Sequence, residues 1–202
     1  MPAGRAAGRA VFPLAAAFVY GFAEAALLSV YPVSLLERKL AVSAMGLSCS
    51  AFVLGGVVST LPVSMAADRL GRGRVLLACA ACGLAAMAAL SAVDGAAAMV
   101  GLSFAVGASL GPLFAVALAL VRDRLSEEEL ASGTAGFMTT FNAGCIAGPV
   151  ASSVAMNRLG PASVFAPTLA LLALLVLYGL ATGAGWTAAG AVAAPAEGRD
   201  QA

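Results

Sequence analysis

The chain contains no histidine, and that absence removes imidazole metal ligands, histidine general bases and the histidine-dependent intramembrane proteases together. Charge is scarce as well. Asp, Glu, Lys and Arg make up 10% of the residues, against about 25% in an ordinary soluble domain, and the net charge of +1 offers neither a basic field for nucleic acid nor an acidic tail. Aromatics are few, at 6%, so the spans offer no evident stacking platform for a sugar. Four cysteines are present. Cys79 and Cys82 form a C-x-x-C, but inside an oily stretch that lacks the charged, accessible setting a redox thiolate needs, so packing is their reading, as for Cys49 and Cys145.

What remains is apolar. Hydrophobic residues make up 61% of the chain and the mean hydropathy is +0.98, more apolar surface than a soluble domain can hide. A helix needs roughly 20 residues to cross about 30 Å of hydrocarbon. Apolar runs near or above that length occupy 12–36, 41–67, 75–93, 96–121, 131–156 and 161–186, separated by short polar breaks. The expectation is an all-α, polytopic membrane protein with a six-helix transmembrane domain over 12–186, a cytoplasmic segment over 1–11 and a disordered cytoplasmic tail over 187–202.

Orientation follows from Lys and Arg in the short loops. One side carries Arg5, Arg9, Arg69, Arg72, Arg74, Arg122, Arg124 and Arg199, the other only Arg38, Lys39 and Arg158. Both termini are therefore expected in the cytoplasm, in a multi-pass protein of the plasma membrane. A cleavable signal peptide ending near Ala23-Glu24-Ala25 is the rival at the N-terminus; Pro13 interrupts its apolar core early, and the run continues to Leu36 past any such cut.

Glu24 is the one ionisable acid or base near the middle of a span. The span can carry it: eleven Phe, Leu and Val residues between Phe12 and Leu36, at about −0.3 to −0.6 kcal/mol each, outweigh one acid of about 2.5 to 3 kcal/mol. Tyr20, Glu24, Leu27 and Tyr31 recur at i, i+4, i+7 and i+11, which predicts a shared face turned into the bundle or a cavity. Two roles stay open for Glu24: a group that loads and releases a proton or binds substrate, or a hydrogen bond that only fixes packing. In the fifth run, Thr139, Asn142, Cys145, Ser152 and Ser153 give a helix with a polar side. Asn142 reads as interhelical glue, with a substrate contact as the sharper alternative.

Small residues mark where helices approach. Gly107-x-x-x-Gly111-Pro112 and Gly144-x-x-x-Gly148-Pro149 each pair a close-contact face with a helix-bending proline. Ser126-Glu127-Glu128-Glu129 fits a capping box that starts the fifth helix.

Between the second and third runs lies SMAADRLGRGRVLL, with Asp68, Arg69, Arg72 and Arg74 in seven residues. Four such charges at a bilayer centre would cost on the order of 10 to 14 kcal/mol, so the segment belongs outside hydrocarbon. Ser64-x-x-x-Asp68-Arg69-x-Gly71-Arg72-Gly73-Arg74 resembles the loop signature of the major facilitator superfamily, G-x-x-x-D-[RK]-x-G-R-[RK]. Asp68, Arg69, Gly71 and Arg72 match, whereas Ser64 replaces a glycine and Gly73 a basic residue. GFAEAALLSVYPVSLL is similar to the first helix of C-terminal halves in that family, and GPLFAVALALVRDRLS to the fourth.

The resemblance implies two six-helix halves with substrate held between them near the midplane and moved by alternating access. It implies that Asp68, Arg69, Arg72 and Arg74 form a gating loop that stabilises the state closed to the cytoplasm, with Gly71 permitting its turn. A topology-fixing anchor is the plainer alternative. Twelve spans need roughly 240 residues, more than the 202 here, so the expectation is one half, better matched to the C-terminal one. The implied function is secondary transport of a small molecule, proton-coupled or as efflux, with a second half supplied by homodimerisation or a separate chain. The alternative is a non-transporting subunit or remnant. Nothing in the sequence calls for a metal, a cofactor or enzymatic chemistry, and no carbonyl filter or charge ring suggests a channel.

Overall fold

The computed structural model describes residues 3–37, 41–123 and 125–183, and the side chains of these except 3–10 and 127. Arg38, Lys39, Arg124, Trp186, Arg199 and the 187–202 tail lie outside the described residues, as do the side chains of Arg5 and Arg9. The helices are α1 (Ala3–Ser29), α2 (Tyr31–Glu37), α3 (Val42–Leu70), α4 (Arg72–Ser91), α5 (Ala96–Arg122), α6 (Glu127–Leu159) and α7 (Ala166–Ala181), with a 3-10 turn at Pro161–Phe165 between the last two. No strand occurs among the described residues.

Among the described residues, five segments are long and apolar enough to cross a membrane: Val11–Glu37, Val42–Leu70, Arg72–Ser91, Ala96–Arg122 and Pro161–Ala181. They coincide with five of the six apolar runs, and the chain is a multi-pass, all-α membrane bundle. The remaining run, 131–156, corresponds to α6, which at 33 residues reaches about 50 Å but is diluted by Gly, Ser, Thr and Asn. Its start lies four residues earlier than the apolar run because Ser126 and Glu129 close the capping box: the Ser126 amide donates to Glu129 Oε2 at 3.3 Å and the Ser126 hydroxyl donates to the same oxygen at 3.0 Å.

The helices order themselves by which pairs approach. α6 packs on α1, α1 on α5 and α5 on α3, giving a row of four, while α4 packs on α5 and α7 on α4 and α1. Glycines set the two tightest seams. A Cβ at Gly107 would collide with the Phe52 carbonyl of α3, and one at Gly111 with the Gly56 backbone. Across the other seam, Gly144 and Gly148 of α6 lie against the Phe18 and Phe22 carbonyls of α1. Between membrane helices the gain comes from van der Waals contact rather than water release, so backbones that touch supply much of the adhesion. Pro112 and Pro149, one residue beyond each second glycine, lie inside helices that continue through them.

The two ends of the bundle are fixed by ring contacts. Phe12, at the start of the crossing segment Val11–Glu37, stacks on Tyr178 near the end of α7, with ring centroids 6.3 Å apart, and Gly179 faces both Phe12 and Leu77 of early α4. At the opposite end Tyr31 packs on Phe165, centroids 5.1 Å apart. α1 and α7 therefore run antiparallel.

The expected face passes through a one-residue interruption. α1 stops at Ser29 and α2 begins at Tyr31, yet the Val30 amide still donates to the Ala26 carbonyl and the Ser34 amide to the Val30 carbonyl, so the helical ladder carries across. Pro32 explains the interruption: it lacks an amide to donate to the Leu28 carbonyl and its ring crowds that turn. Tyr31 is buried, with its hydroxyl 3.4 Å from the Ser103 hydroxyl of α5, the helix whose Phe114 meets Tyr20.

Candidate functional site

Two constellations stand out, one in mid-bundle and one at the end where α3 turns into α4. The first begins with Glu24. It lies twelve residues beyond Phe12, about 18 Å along α1, and so near the middle of a span. Tyr20, one turn earlier on the same face, donates its hydroxyl to Glu24 Oε1 at 3.1 Å. Both side chains are half-buried. The remaining arginines of the described bundle, Arg69, Arg72, Arg74, Arg122 and Arg158, all lie at helix ends, which leaves Glu24 as the mid-span charge.

The Tyr20 ring is part of a cluster drawn from three helices. It stacks on Phe141 of α6 (centroids 5.9 Å, planes 22° apart) and lies 6.1 Å from Phe114 of α5. Phe114 meets Phe137 and Phe141 edge-on, each at 5.2 Å. Phe137 is fully buried, whereas Tyr20, Phe114 and Phe141 are half-exposed. The absence of a stacking platform expected from the low aromatic content is thus overturned: scattered rings converge because residues 137 and 141 share a face of α6 that meets α1 and α5.

Asn142, next to Phe141, is exposed and so takes no part in gluing the described helices together. Thr139 satisfies its hydroxyl on the Ala135 carbonyl of its own helix at 2.9 Å. Ser152 is buried, and its hydroxyl has no hydrogen-bond partner among the described residues. A shallow groove of about 520 Å³ lies elsewhere, at the α5–α6 junction, lined by Arg122, Leu130, Ala131, Thr134, Ala135 and Met138.

The second constellation centres on Arg72. Gly71 is the single residue between α3 and α4 and has φ +98°, a backbone region that L side chains rarely adopt. Its amide closes α3 on the Ala67 carbonyl, and its carbonyl accepts from Arg74 and Val75 to open α4. That turn sends the Arg72 guanidinium back over two helix C-termini. Nε and Nη2 donate to Asp68 Oδ1 at 3.1 and 2.9 Å; Nη1 donates to Asp123 Oδ1 at 2.6 Å and to the Ala119 carbonyl at 3.1 Å. A cation on the carbonyl ends of α3 and α5 is also favoured by both helix dipoles. Asp123 escaped the sequence reading, which took Arg122-Asp123-Arg124 as loop charge; an acid between two arginines directly after an apolar run was the available signal. Arg69 and Arg74 are exposed around this junction, and Gly73 is buried.

The model of the Major Facilitator Superfamily matches residues 14–167, a range that holds both constellations. The chain belongs to that superfamily. A relative from Bacillus subtilis (strain 168), described as the uncharacterized MFS-type transporter YfkF, is 29% identical over 148 residues. The match covers 73% of this chain and 38% of that protein, so the chain spans well under half of this relative. Arg72 is thus salt-bridged both to Asp68, four residues before it, and to Asp123, which lies outside the stretch that resembles the loop signature.

Proposed function

We propose that this chain forms one six-span half of a proton-coupled secondary transporter for a small molecule, with α6 as its fifth span. Placed beside a second half, the less apolar α6 needs no lipid on its polar side, which accounts for its composition. The second half comes from another copy or from a separate chain, and substrate sits between the halves. The positive-inside excess places both termini and the Arg72 junction in the cytoplasm, at the plasma membrane.

The observation that carries the proposal is Glu24 held by Tyr20 in mid-span, on a helix of a superfamily built to move solutes. An acid in that place is costly and is kept where it works. The Arg72 junction fits the role of a latch: it ties the cytoplasmic ends of α3, α4 and α5 into one body that can rock as a unit. Asn142 and Tyr20 are the further candidates for contact with substrate, whereas Tyr31 serves packing. Uptake into vesicles under an imposed pH gradient tests the proposal. Uptake that follows the gradient and vanishes in Glu24→Gln supports it; uptake indifferent to that change removes Glu24 from the coupling.

A second reading is a non-transporting subunit that associates with a partner half. It is favoured by α3, of whose most apolar stretch only 22% is buried, and by Ile146 and Val150 exposed on α6. Native mass measurement in detergent separates the two readings: a dimer or heteromer that transports sustains the first, and purified protein that never transports at any stoichiometry sustains the second.

A further inference from the structure

The Tyr20–Glu24 site has a charge and a surface that together select a chemical class of substrate. Its one mid-span ionisable acid or base is the Glu24 carboxyl, and among the described residues no basic side chain lies at the same depth to pair with an anion. Tyr20 joins the carboxylate to the ring cluster without a gap, since its hydroxyl bonds Glu24 while its ring stacks on Phe141. Phe137 anchors the cluster in the core, and Tyr20, Phe114 and Phe141 keep part of their surface uncovered. Ring faces carry negative quadrupole density and attract a cation within about 6 Å of the centroid, most strongly where water is excluded.

We infer that this site accepts amphiphilic organic cations, with the positive charge at Glu24 and the apolar body on Tyr20, Phe114 and Phe141. The inference rests on Glu24 facing substrate, as in the proposed function. A small inorganic cation would leave the rings unused, and an anion would meet an uncompensated carboxylate. A neutral apolar solute would gain from the rings alone.

Three probes of similar shape and different charge test it by equilibrium binding to the purified full chain in detergent: tetraphenylphosphonium, neutral triphenylphosphine oxide and anionic tetraphenylborate. Tetraphenylphosphonium is expected to bind at least about tenfold more tightly than the other two. Glu24→Gln should weaken it by about tenfold or more and leave the neutral probe unchanged, while Glu24→Asp retains most of the affinity. Phe114→Leu and Phe141→Leu should each weaken the cation by about two- to thirtyfold. Equal binding of all three probes by the wild-type chain, or cation binding unmoved by Glu24→Gln, overturns the inference, and the wild-type comparison stands even where a variant fails to fold. Transport is scored separately. Selective binding of the cation without its movement across vesicles would defeat the transporter reading and leave the substrate class intact; proton-driven transport of another solute without cation binding would do the reverse.

Discussion

Arg72 and Asp123 lie fifty-one positions apart in the chain and meet at 2.6 Å, while the other two guanidinium nitrogens hold Asp68. One side chain thereby ties the ends of three helices, and it does so only because the guanidinium is a rigid fork with donors on more than one side. Lysine offers a single point charge and cannot reach both acids at once.

Arg72→Lys is therefore expected to reduce transport several-fold while lowering unfolding stability by about 1 kcal/mol or less, since exposed ion pairs contribute roughly 0.2 to 1 kcal/mol each. Asp68 and Asp123 are 61% and 51% exposed, which keeps the stability effect small. Asp123→Asn should reproduce the transport loss, and the two changes together should cost less than their sum. Thermal melts in detergent beside vesicle uptake check this; full activity in Asp123→Asn would break the link between junction and gate.

Gly71→Ala places a Cβ on a residue at φ +98°, although the space around it is open. The cost is backbone strain on the order of 1 to 3 kcal/mol, and it should appear as a lowered melting temperature. An unshifted melt would mean that the turn relaxes freely.

The seam glycines allow a matched comparison. Gly107→Ala drives a methyl group into the Phe52 carbonyl, whereas Gly101→Ala on the same helix meets nothing within 4 Å. Gly107→Ala should destabilise by about 1 to 3 kcal/mol through overpacking of α3 against α5. Gly101→Ala should be neutral or stabilising by up to about 1 kcal/mol. Similar melting temperatures for the two variants would deny that the α3–α5 seam is set by this glycine.

The two tyrosines of α1 and α2 should part company. Tyr20→Phe removes the donor to Glu24 but keeps the ring on Phe141, so transport should fall with little change in stability. Tyr31→Phe loses the 3.4 Å hydroxyl contact with Ser103 and should leave transport unchanged, at a cost of about 1 kcal/mol or less. Uptake kinetics on both variants decide it; equal losses would return Tyr31 to the site.

Much of this was legible along the chain. Apolar run length located five crossing helices, Ser126 and Glu129 announced the start of α6, and the i, i+4 spacing placed Tyr20 and Glu24 on one face, where they are hydrogen-bonded. What escaped shares one cause: it depends on residues far apart in sequence. Asp123 finds Arg72, and Phe114 finds Phe137 and Phe141, only after three helices have packed.

The seam between α1 and α6 also sets an order of events during synthesis. Phe18 emerges from the ribosome 126 residues before Gly144, the residue that will lie against it. At about 5 to 20 residues per second, that is an interval on the order of ten seconds. Throughout it, α1 holds Glu24 and the Gly21 face without the helix that covers them. The newborn chain is thus most vulnerable to surveillance by chaperones and membrane proteases before α6 arrives, and a ribosome that stalls ahead of residue 127 leaves α1 in the bilayer with its acid uncovered.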